Sequence, residues 1–363
     1  MILLSGYFFS YFWVIAIFIV FYPSLLSSYG YSPFQLGLFF AIPALMKFAS
    51  PFFFLSRFEL HSRLFIMASW ATVVLWGVQW GVLGHFIAHV SVMVILGFVW
   101  SLHLPYIDER ALAIFGKTRY GKSRLFGSAG FLIATLVYGY MPLTLNESLG
   151  HAFVGLTLMA LLAIGLVRYF SLYHARCPQV NTLPTFKKDW YFWSAIIVMQ
   201  FSFGAYYTFF TLYETSHGLA LSDISWLWSL GVIAEMVMLY RQAFLLKFSF
   251  LHLMLLSLLV TALRWGIISF FPENFWLLCS VQLLHAFSFA LFHTASLAWL
   301  FERYGHNPLA GQFYYGLSYG LGGFLGSLFF GAIYGEFVFL VAGVITLVGA
   351  MALAGAIYSQ KKK

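Results

Sequence analysis

The stretch Asp108–Ser128 reads DERALAIFGKTRYGKSRLFGS and carries five of the chain's 19 Lys and Arg residues. Long apolar runs flank it at 90–110 and 125–145. A basic segment between two apolar runs of about 20 residues predicts a cytoplasmic loop that joins two membrane-spanning helices. The same alternation of apolar runs and short polar connections extends over the whole chain.

The apolar runs predict twelve spans, at 5–27, 33–56, 63–83, 90–110, 125–145, 150–170, 190–213, 222–245, 252–271, 276–300, 311–334 and 338–358. All Lys and Arg except Lys47 and Arg264 lie on one side, in the even-numbered connections, next to them, or at the C-terminus. The predicted outer loops carry acids instead, namely Glu147, Glu214, Asp223, Glu273 and Glu336. This bias places both chain ends in the cytoplasm.

Composition excludes a soluble globular protein. The chain is 62% hydrophobic and only 8% charged, and its mean hydropathy is +0.89. The net charge of +8 lies on one face of the membrane, so orientation and anionic lipid explain it better than nucleic acid. Cys177 and Cys279 lie far apart and predict neither a disulfide nor a metal site. The N-terminus lacks a basic segment and a cleavage site, so it is interpreted as the first span.

A two-fold repeat is predicted from the middle of the chain outward. The longest polar stretch, 171–189, is predicted as a cytoplasmic linker between six-helix bundles at 1–170 and 190–363. Arg119-Tyr120-Gly121 recurs half a chain later as Arg303-Tyr304-Gly305, and each copy precedes a glycine-rich span. Parallel six-helix repeats describe the major facilitator architecture. The expected fold class is therefore an all-α membrane protein of twelve helices. The glycines fit close packing alone, or packing that also allows the bundles to rock.

Charged groups inside spans are costly and usually find partners. Glu235, Arg264 and His285 lie at compatible depths in the eighth, ninth and tenth spans, so neighbouring antiparallel helices are expected to bring them together. Two interpretations stay open. The group is a proton site whose occupancy changes with its surroundings, or it is a static ion pair that holds helices together.

A polar and aromatic stripe is predicted on the tenth span. Its members recur at three and four residues and are Gln282, His285, Phe289, Phe292 and Ser296. Such a stripe suits a water-lined cavity. His293 borders it, either as a cavity residue or as a hydrogen-bonded core histidine.

Other buried polar candidates receive smaller roles. His103 is expected in the core, and Tyr206 and Tyr207 are placed at the cavity. Lys47 lies too deep in the second span to reach either surface easily, so it pairs with Asp108 or binds an anionic substrate.

The sequence lacks the motifs of phosphate, dinucleotide and hydrolase chemistry. There is no Walker A motif, no dinucleotide glycine fingerprint, no His-Glu-x-x-His and no Gly-x-Ser-x-Gly. ATP-driven transport within this chain is not expected, and neither is a bound cofactor, a catalytic residue or a metal.

Several motifs resemble one known family. Pro105-x-x-Asp108, followed by Tyr120-Gly121-Lys122-x-Arg124-x-Phe126-Gly127-Ser128, resembles the region from the fourth to the fifth span of the phenylpropionate permease family. That family belongs to the major facilitator superfamily and is related to nucleoside–proton symporters and lactose permease. The run LWSLGVIAE at 227–235, then Leu263-Arg264-Trp265-Gly266 and Gln282-x-Leu284-His285, resemble its eighth, ninth and tenth spans.

The resemblance implies a proton-coupled symporter of the bacterial inner membrane with a central cavity between two bundles. It puts Asp108 and Arg124 at the cytoplasmic ends of cavity helices, and Lys47 where relatives carry a base. The loop at 56–63, Ser-Arg-Phe-Glu-Leu-His-Ser-Arg, departs from the superfamily's second-to-third loop motif, since it lacks the glycines and the ordered Asp-Arg pattern. No gating role is assigned to it.

The leading hypothesis is symport of a small organic solute with protons, first an aromatic carboxylate such as phenylpropionate, and as alternatives a nucleoside or a sugar. Glu235 would carry the proton, with Arg264 and His285 modulating it. Substrate contacts, or contacts that bridge the bundles, are assigned to Lys47, Asp108, Arg124, Gln282 and His293. The expected partners are the substrate and the lipid bilayer, without nucleic acid, and the protein is expected to be a monomer.

Two rival classes stay open. A membrane-embedded lipid-modifying enzyme would need a base near the headgroups, and His61, His174 and His306 lie at that depth, although each also fits a solvated loop. A sensor that kept the fold without transport is the third possibility.

Overall fold

The computed structural model describes residues 1–55, 61–141, 144–171, 184–305 and 308–361. The chain divides into two compact units, an N-terminal unit, Met1–Pro178, and a C-terminal unit, Gln179–Lys363. Most of the linker predicted at 171–189 lies outside the described residues, as does most of the loop at 56–63.

The described part of the N-terminal unit is helical. Its α-helices are α1 Ile2–Ala16, α2 Tyr22–Ser28, α3 Pro33–Leu55, α4 Ser62–Val82, α5 Phe86–Ser101, α6 His103–Tyr140 and α7 Leu145–Phe170. A π-helical segment, Ile17–Phe21, joins α1 to α2. In an apolar solvent every backbone polar group must be bonded internally, which favours helices in a chain this hydrophobic.

The C-terminal unit repeats this helical build in its described residues. Its α-helices are α8 Trp190–Ser216, α9 Leu221–Arg241, α10 Phe250–Phe270, α11 Phe275–Leu283, α12 Phe292–Tyr304, α13 Pro308–Tyr315, α14 Gly323–Ala332 and α15 Val338–Lys361. The segments Ala286–Leu291 and Gly316–Gly322 are π-helical, and Gln242–Lys247 is a 3₁₀-helix.

The stretch quoted first does not form the loop that was predicted at 111–124. Helix α6 continues through it, and the helical geometry breaks only at Gly116, with φ of 70° and ψ of 169°. Glycine adopts this left-handed region at little cost. The fourth and fifth spans are therefore two helices that meet at one glycine.

Nine helical stretches in the described part of the chain are long and apolar enough to cross a membrane. Joining the α-helices across the π-helical segments and across Leu102, and dividing α6 at Gly116, gives twelve helical rods in the described residues, as the sequence predicts. The prediction of Glu214 in an outer loop is wrong, because α8 extends to Ser216 and buries this side chain completely.

The two units share one packing scheme. In the N-terminal unit, α1 packs against α6 and α7, α4 against α5 and α7, and α3 against α5. In the C-terminal unit, α8 packs against α14 and α15, α10 against α12 and α15, and α9 against α11. These are corresponding pairs, so the six-helix repeat is present in the packing.

The register suggested by the Arg-Tyr-Gly motif does not match this repeat. Gly121 lies within α6, whereas Gly305 follows α12 with φ of 63°. Gly116, with φ of 70° and ψ of 169°, has a backbone conformation close to that of Gly305, whose ψ is −153°. The two units do repeat, but the two Arg-Tyr-Gly copies do not occupy corresponding positions in them.

Glycines let the first helix of each unit approach its neighbour. A Cβ added to Gly130 would meet the carbonyl oxygen of Phe9, and one added to Gly326 would meet that of Phe201, both far inside van der Waals distance. Because backbone cannot move aside cheaply, both glycines are explained by packing inside their own unit.

We expect Gly326→Val to destabilise the C-terminal unit by at least about 1–3 kcal/mol, the usual cost of overpacking. Helix propensity offsets little of this, since valine gains only a few tenths of a kcal/mol over glycine. Thermal unfolding of the detergent-solubilised protein measures the change. Gly355→Val is the matched control, because a Cβ there meets nothing within 4 Å. Equal midpoints for the two variants would contradict the packing argument.

Candidate functional site

Arg264 of α10 is fully buried and organises the polar cluster of the C-terminal unit. Its Nη2 donates to Oε1 of Gln282 at 2.6 Å, and its Nη1 lies 3.0 Å from Nδ1 of His285. Nη1 also donates to Oγ of Ser288 at 3.3 Å, and Tyr206 donates its hydroxyl to the same Gln282 oxygen at 3.0 Å. A buried guanidinium is thus held by neutral side chains.

Glu235 of α9 reaches this cluster through His285. Oε2 of Glu235 lies 3.9 Å from Nε2 of His285, whose other ring nitrogen faces Arg264. The Glu235 side chain is 21% exposed and that of His285 is 7% exposed. The structure therefore brings together the three residues expected to meet, with the imidazole lying between the acid and the base. A bridging imidazole can take or give a proton as its neighbours change.

Two buried donor atoms of the cluster, Nε of Arg264 and Nε2 of Gln282, have no hydrogen-bond partner among the described residues. Leaving a buried donor unsatisfied costs about 1–3 kcal/mol. The cluster thus has spare donors and a buried positive charge, which is the arrangement that suits an anionic ligand.

Aromatic rings surround the guanidinium of Arg264. Its Cζ lies 4.4 Å from the ring centroid of Tyr206, 4.7 Å from that of Trp265 and 5.9 Å from that of Phe203. Such cation–π contacts are worth about 2 kcal/mol each when desolvated, so they help to hold a charge that lacks a direct carboxylate hydrogen bond.

The predicted stripe on the tenth span is partly wrong. The rings of His285 and Phe289 stack at 5.3 Å and 10°, and those of Phe289 and His293 at 6.3 Å and 8°. The stacked row of rings therefore continues to His293 rather than to Phe292. The cause is the π-helical segment Ala286–Leu291, whose i→i+5 bonds add one residue to a turn and shift the following face.

His293 is a hydrogen-bonded histidine at the end of the row of stacked rings, His285–Phe289–His293, which we call the ladder. Its Nδ1 lies 3.1 Å from the hydroxyl of Tyr314 and 3.1 Å from that of Tyr319. One ring nitrogen has a single hydrogen-bonding position in its plane, so the two tyrosines compete for it. The ladder His285–Phe289–His293 thus ends in a tyrosine pair contributed by α13 and the π-helical segment Gly316–Gly322.

The remaining predicted site residues lie in the N-terminal unit. The carboxylate of Asp108 interacts with the charge of Arg124 and with the hydroxyl of Tyr120. The guanidinium of Arg124 also lies over the rings of Phe8 and Phe12, at 5.1 and 4.2 Å.

Lys47 lies in α3 and is exposed at the surface of its own unit. His103 lies in the core, as expected, with Nδ1 2.8 Å from the hydroxyl of Tyr7 and Nε2 3.0 Å from that of Thr72.

A second charged cluster lies where the start of α8 meets the end of α12 in the C-terminal unit. Oδ2 of Asp189 accepts hydrogen bonds from Nε of Arg303 at 3.0 Å, from the hydroxyl of Tyr304 at 2.5 Å and from that of Thr185 at 3.1 Å. Burial acts to raise the pKa of Asp189, but these bonds outweigh it and hold the pKa below its usual range. Arg303 therefore ties α12 to the start of α8.

Sequence reasoning missed several polar residues that the structure brings into contact. Ser288 contacts Arg264, and its spacing of three from His285 was the available signal. His89 is buried between the hydroxyls of Tyr22 and Tyr31, at 3.2 and 2.8 Å, and no charge pattern pointed to it. Of the histidines weighed for enzyme chemistry, His61 is an exposed residue before α4, while His174 and His306 lie outside the described residues.

The helical units and their internal repeat have the architecture of the major facilitator superfamily, a class of multi-pass membrane transporters. The profile of the MFS_1 like family matches residues 1–341. The chain therefore belongs to this family.

Two relatives cover most of the chain. A probable 3-phenylpropionic acid transporter of Escherichia coli (strain K12) is 28% identical over 367 residues, covering 94% of each chain. The uncharacterized transporter YwbF of Bacillus subtilis (strain 168) is 25% identical over 282 residues, covering 73% of this chain and 69% of YwbF.

Solved structures share the fold. The nucleoside transporter NupG superposes with a TM-score of 0.78 at 16% identity and covers 98% of both chains. The peptide transporter POT, in complex with sulfate, gives a TM-score of 0.75 at 11% identity, covering 98% of this chain and 94% of POT.

Proposed function

We propose that this protein is a proton-coupled symporter of a small organic anion, with an aromatic carboxylate such as 3-phenylpropionate as its substrate class. The observation that carries the proposal is the pair of unsatisfied buried donors, Nε of Arg264 and Nε2 of Gln282, next to a positive charge. A carboxylate oxygen accepts hydrogen bonds and supplies the opposite charge.

The coupling part of the proposal assigns the proton to Glu235 and its neighbour His285. Their side chains lie 3.9 Å apart, and His285 faces Arg264 on its other side. Binding an anion at Arg264 removes much of the field that favours the ionised form of Glu235. Substrate binding and proton uptake therefore favour each other.

The aromatic part of the substrate would contact rings beside the cluster. The ring of Phe203 neighbours those of Tyr207 and Phe289, and Phe289 is stacked on His285. An aromatic substrate gains offset or edge contacts on such a surface. The relative described as a probable 3-phenylpropionic acid transporter supports the same class.

The other assignments belong to the same proposal. Lys47, Asp108 and Arg124 of the N-terminal unit, and His293 of the C-terminal unit, are proposed substrate contacts. The protein is placed in a bacterial inner membrane with cytoplasmic termini and acts as a monomer without a cofactor.

Reconstituted vesicles test the proposal. With a more acidic exterior, we expect the initial rate of labelled 3-phenylpropionate uptake to rise by at most about tenfold per pH unit, because the external proton concentration rises tenfold and one proton binds in each cycle. Protein-free vesicles are the essential control, since a weak acid also crosses membranes in its neutral form. Uridine and a sugar serve as comparison solutes. A protein-dependent rate that ignores the pH gradient would contradict coupling, and preference for uridine or the sugar would contradict the substrate class.

A further inference from the structure

Glu214, in the last turn of α8, is a buried acid that the proposed mechanism does not use. Its side chain is 0% exposed. Both carboxyl oxygens, Oε1 and Oε2, lack a hydrogen-bond partner among the described residues. A carboxyl group with two orphaned oxygens inside a helical unit requires an explanation.

The surroundings of Glu214 supply no compensating charge. The titratable groups that interact with it are Tyr206 and Tyr213 of α8 and Tyr334, which follows α14. The next acid, Glu336, acts on Tyr213 and adds negative charge. The ring of nearby His217 is turned to the backbone carbonyl of Tyr213 at 2.8 Å. None of these described groups is a lysine or an arginine, so no fixed positive charge among them offsets a buried carboxylate.

An ionised carboxylate in such a place would be costly. After relaxation, burying an unpaired ion still costs several kcal/mol. The neutral acid avoids most of this penalty, and it loses only the hydrogen bonds that water would supply. The conformation described here is therefore compatible with a protonated Glu214 and disfavours an ionised one.

The position of Glu214 connects it both to solvent and to the cluster. The next two residues, Thr215 and Ser216, are exposed, so a small movement of the helix end would admit water. In the other direction, Tyr206 lies eight residues earlier, about 12 Å along the helix. Tyr206 bonds to Gln282, which Arg264 also holds.

We propose that Glu214 is a second proton-binding site, at the end of α8 that the charge bias assigns to the outer side. It holds its proton in the conformation described here and exchanges it with outside water when the end of α8 opens. The coupling role of this site rests on the proposed symport, whereas proton binding itself does not.

Infrared difference spectroscopy of the purified protein tests proton binding without any substrate. At neutral pH we expect wild type minus Glu214→Gln to show the C=O stretching band of a protonated carboxylic acid. Glu214→Asp should shift this band rather than remove it. The matched control, Glu273→Gln, changes an exposed acid and should leave the band in place. Identical spectra for wild type and Glu214→Gln would overturn the proposal, and so would loss of the band on adding sodium, which would indicate a metal-cation site.

Transport tests the coupling role. In vesicles, Glu214→Gln should lose most of the roughly tenfold stimulation of 3-phenylpropionate uptake per pH unit, while exchange of labelled for unlabelled substrate continues. If Glu214→Gln loses the infrared band yet keeps full stimulation, Glu214 is a buried acid outside the coupling cycle and the coupling role is overturned. If wild type itself shows no gradient-driven uptake, symport fails while the infrared result still decides proton binding.

Discussion

Glu235→Gln is expected to abolish stimulation of uptake by a pH gradient while keeping substrate exchange. Glutamine resembles the protonated acid in shape and charge but cannot release a proton. A carrier with this change can bind and release substrate from either side, yet a gradient of one pH unit no longer contributes its roughly tenfold factor, about 1.36 kcal/mol per proton. Initial rates with and without the gradient measure the effect, and counterflow of labelled 3-phenylpropionate measures exchange.

The same experiment decides between a proton site and a static ion pair. If Glu235 only holds helices together, Glu235→Gln should lower thermal stability, and exchange and driven uptake should fall together. Glu302→Gln is the matched control, since it removes an exposed acid from α12 of the same unit. Full stimulation in Glu235→Gln, with protein-free vesicles subtracted, would show that Glu235 does not carry the coupled proton.

The predictable part of this fold rests on two strong signals. Apolar runs of span length, separated by polar connections with bases on one side, were enough to place twelve helices. Charges inside spans were few, so Glu235, Arg264 and His285 could be matched by depth alone. The structure brings these three side chains into one cluster, with His285 between the other two.

The rest could not be predicted because the sequence analysis assumed a constant helical period, and local departures from that period leave no clear pattern in the sequence. The π-helical segment Ala286–Leu291 places His293, rather than Phe292, next to Phe289 in the row of stacked rings. No residue type predicts such a segment. Gly116 turns a predicted loop into a junction of two helices. The length of α8 was misjudged by one turn, which moved Glu214 from an outer loop into the interior.

Arg264→Lys is expected to weaken substrate binding by on the order of 10- to 100-fold, although the charge is kept. Arg264 holds Gln282 and His285 with separate nitrogens and has Nε left over. A lysine ammonium is a compact point charge that cannot make these contacts together with a substrate carboxylate. The loss of one hydrogen bond to a charged group, at about 1.5–3 kcal/mol, gives this range.

Binding of 3-phenylpropionate to the purified protein by calorimetry measures this effect, and thermal unfolding separates it from misfolding. Arg241→Lys is the matched control, because Arg241 is exposed at the end of α9. Arg264→Met should abolish binding and also lower stability, since Gln282 and His285 both lose a buried donor. If Arg264→Lys binds within about twofold of wild type, the spare donors of the cluster are not where the carboxylate is held. The anionic substrate class would then lose its main support, while Glu235 and the pH gradient could still be tested with an uncharged solute.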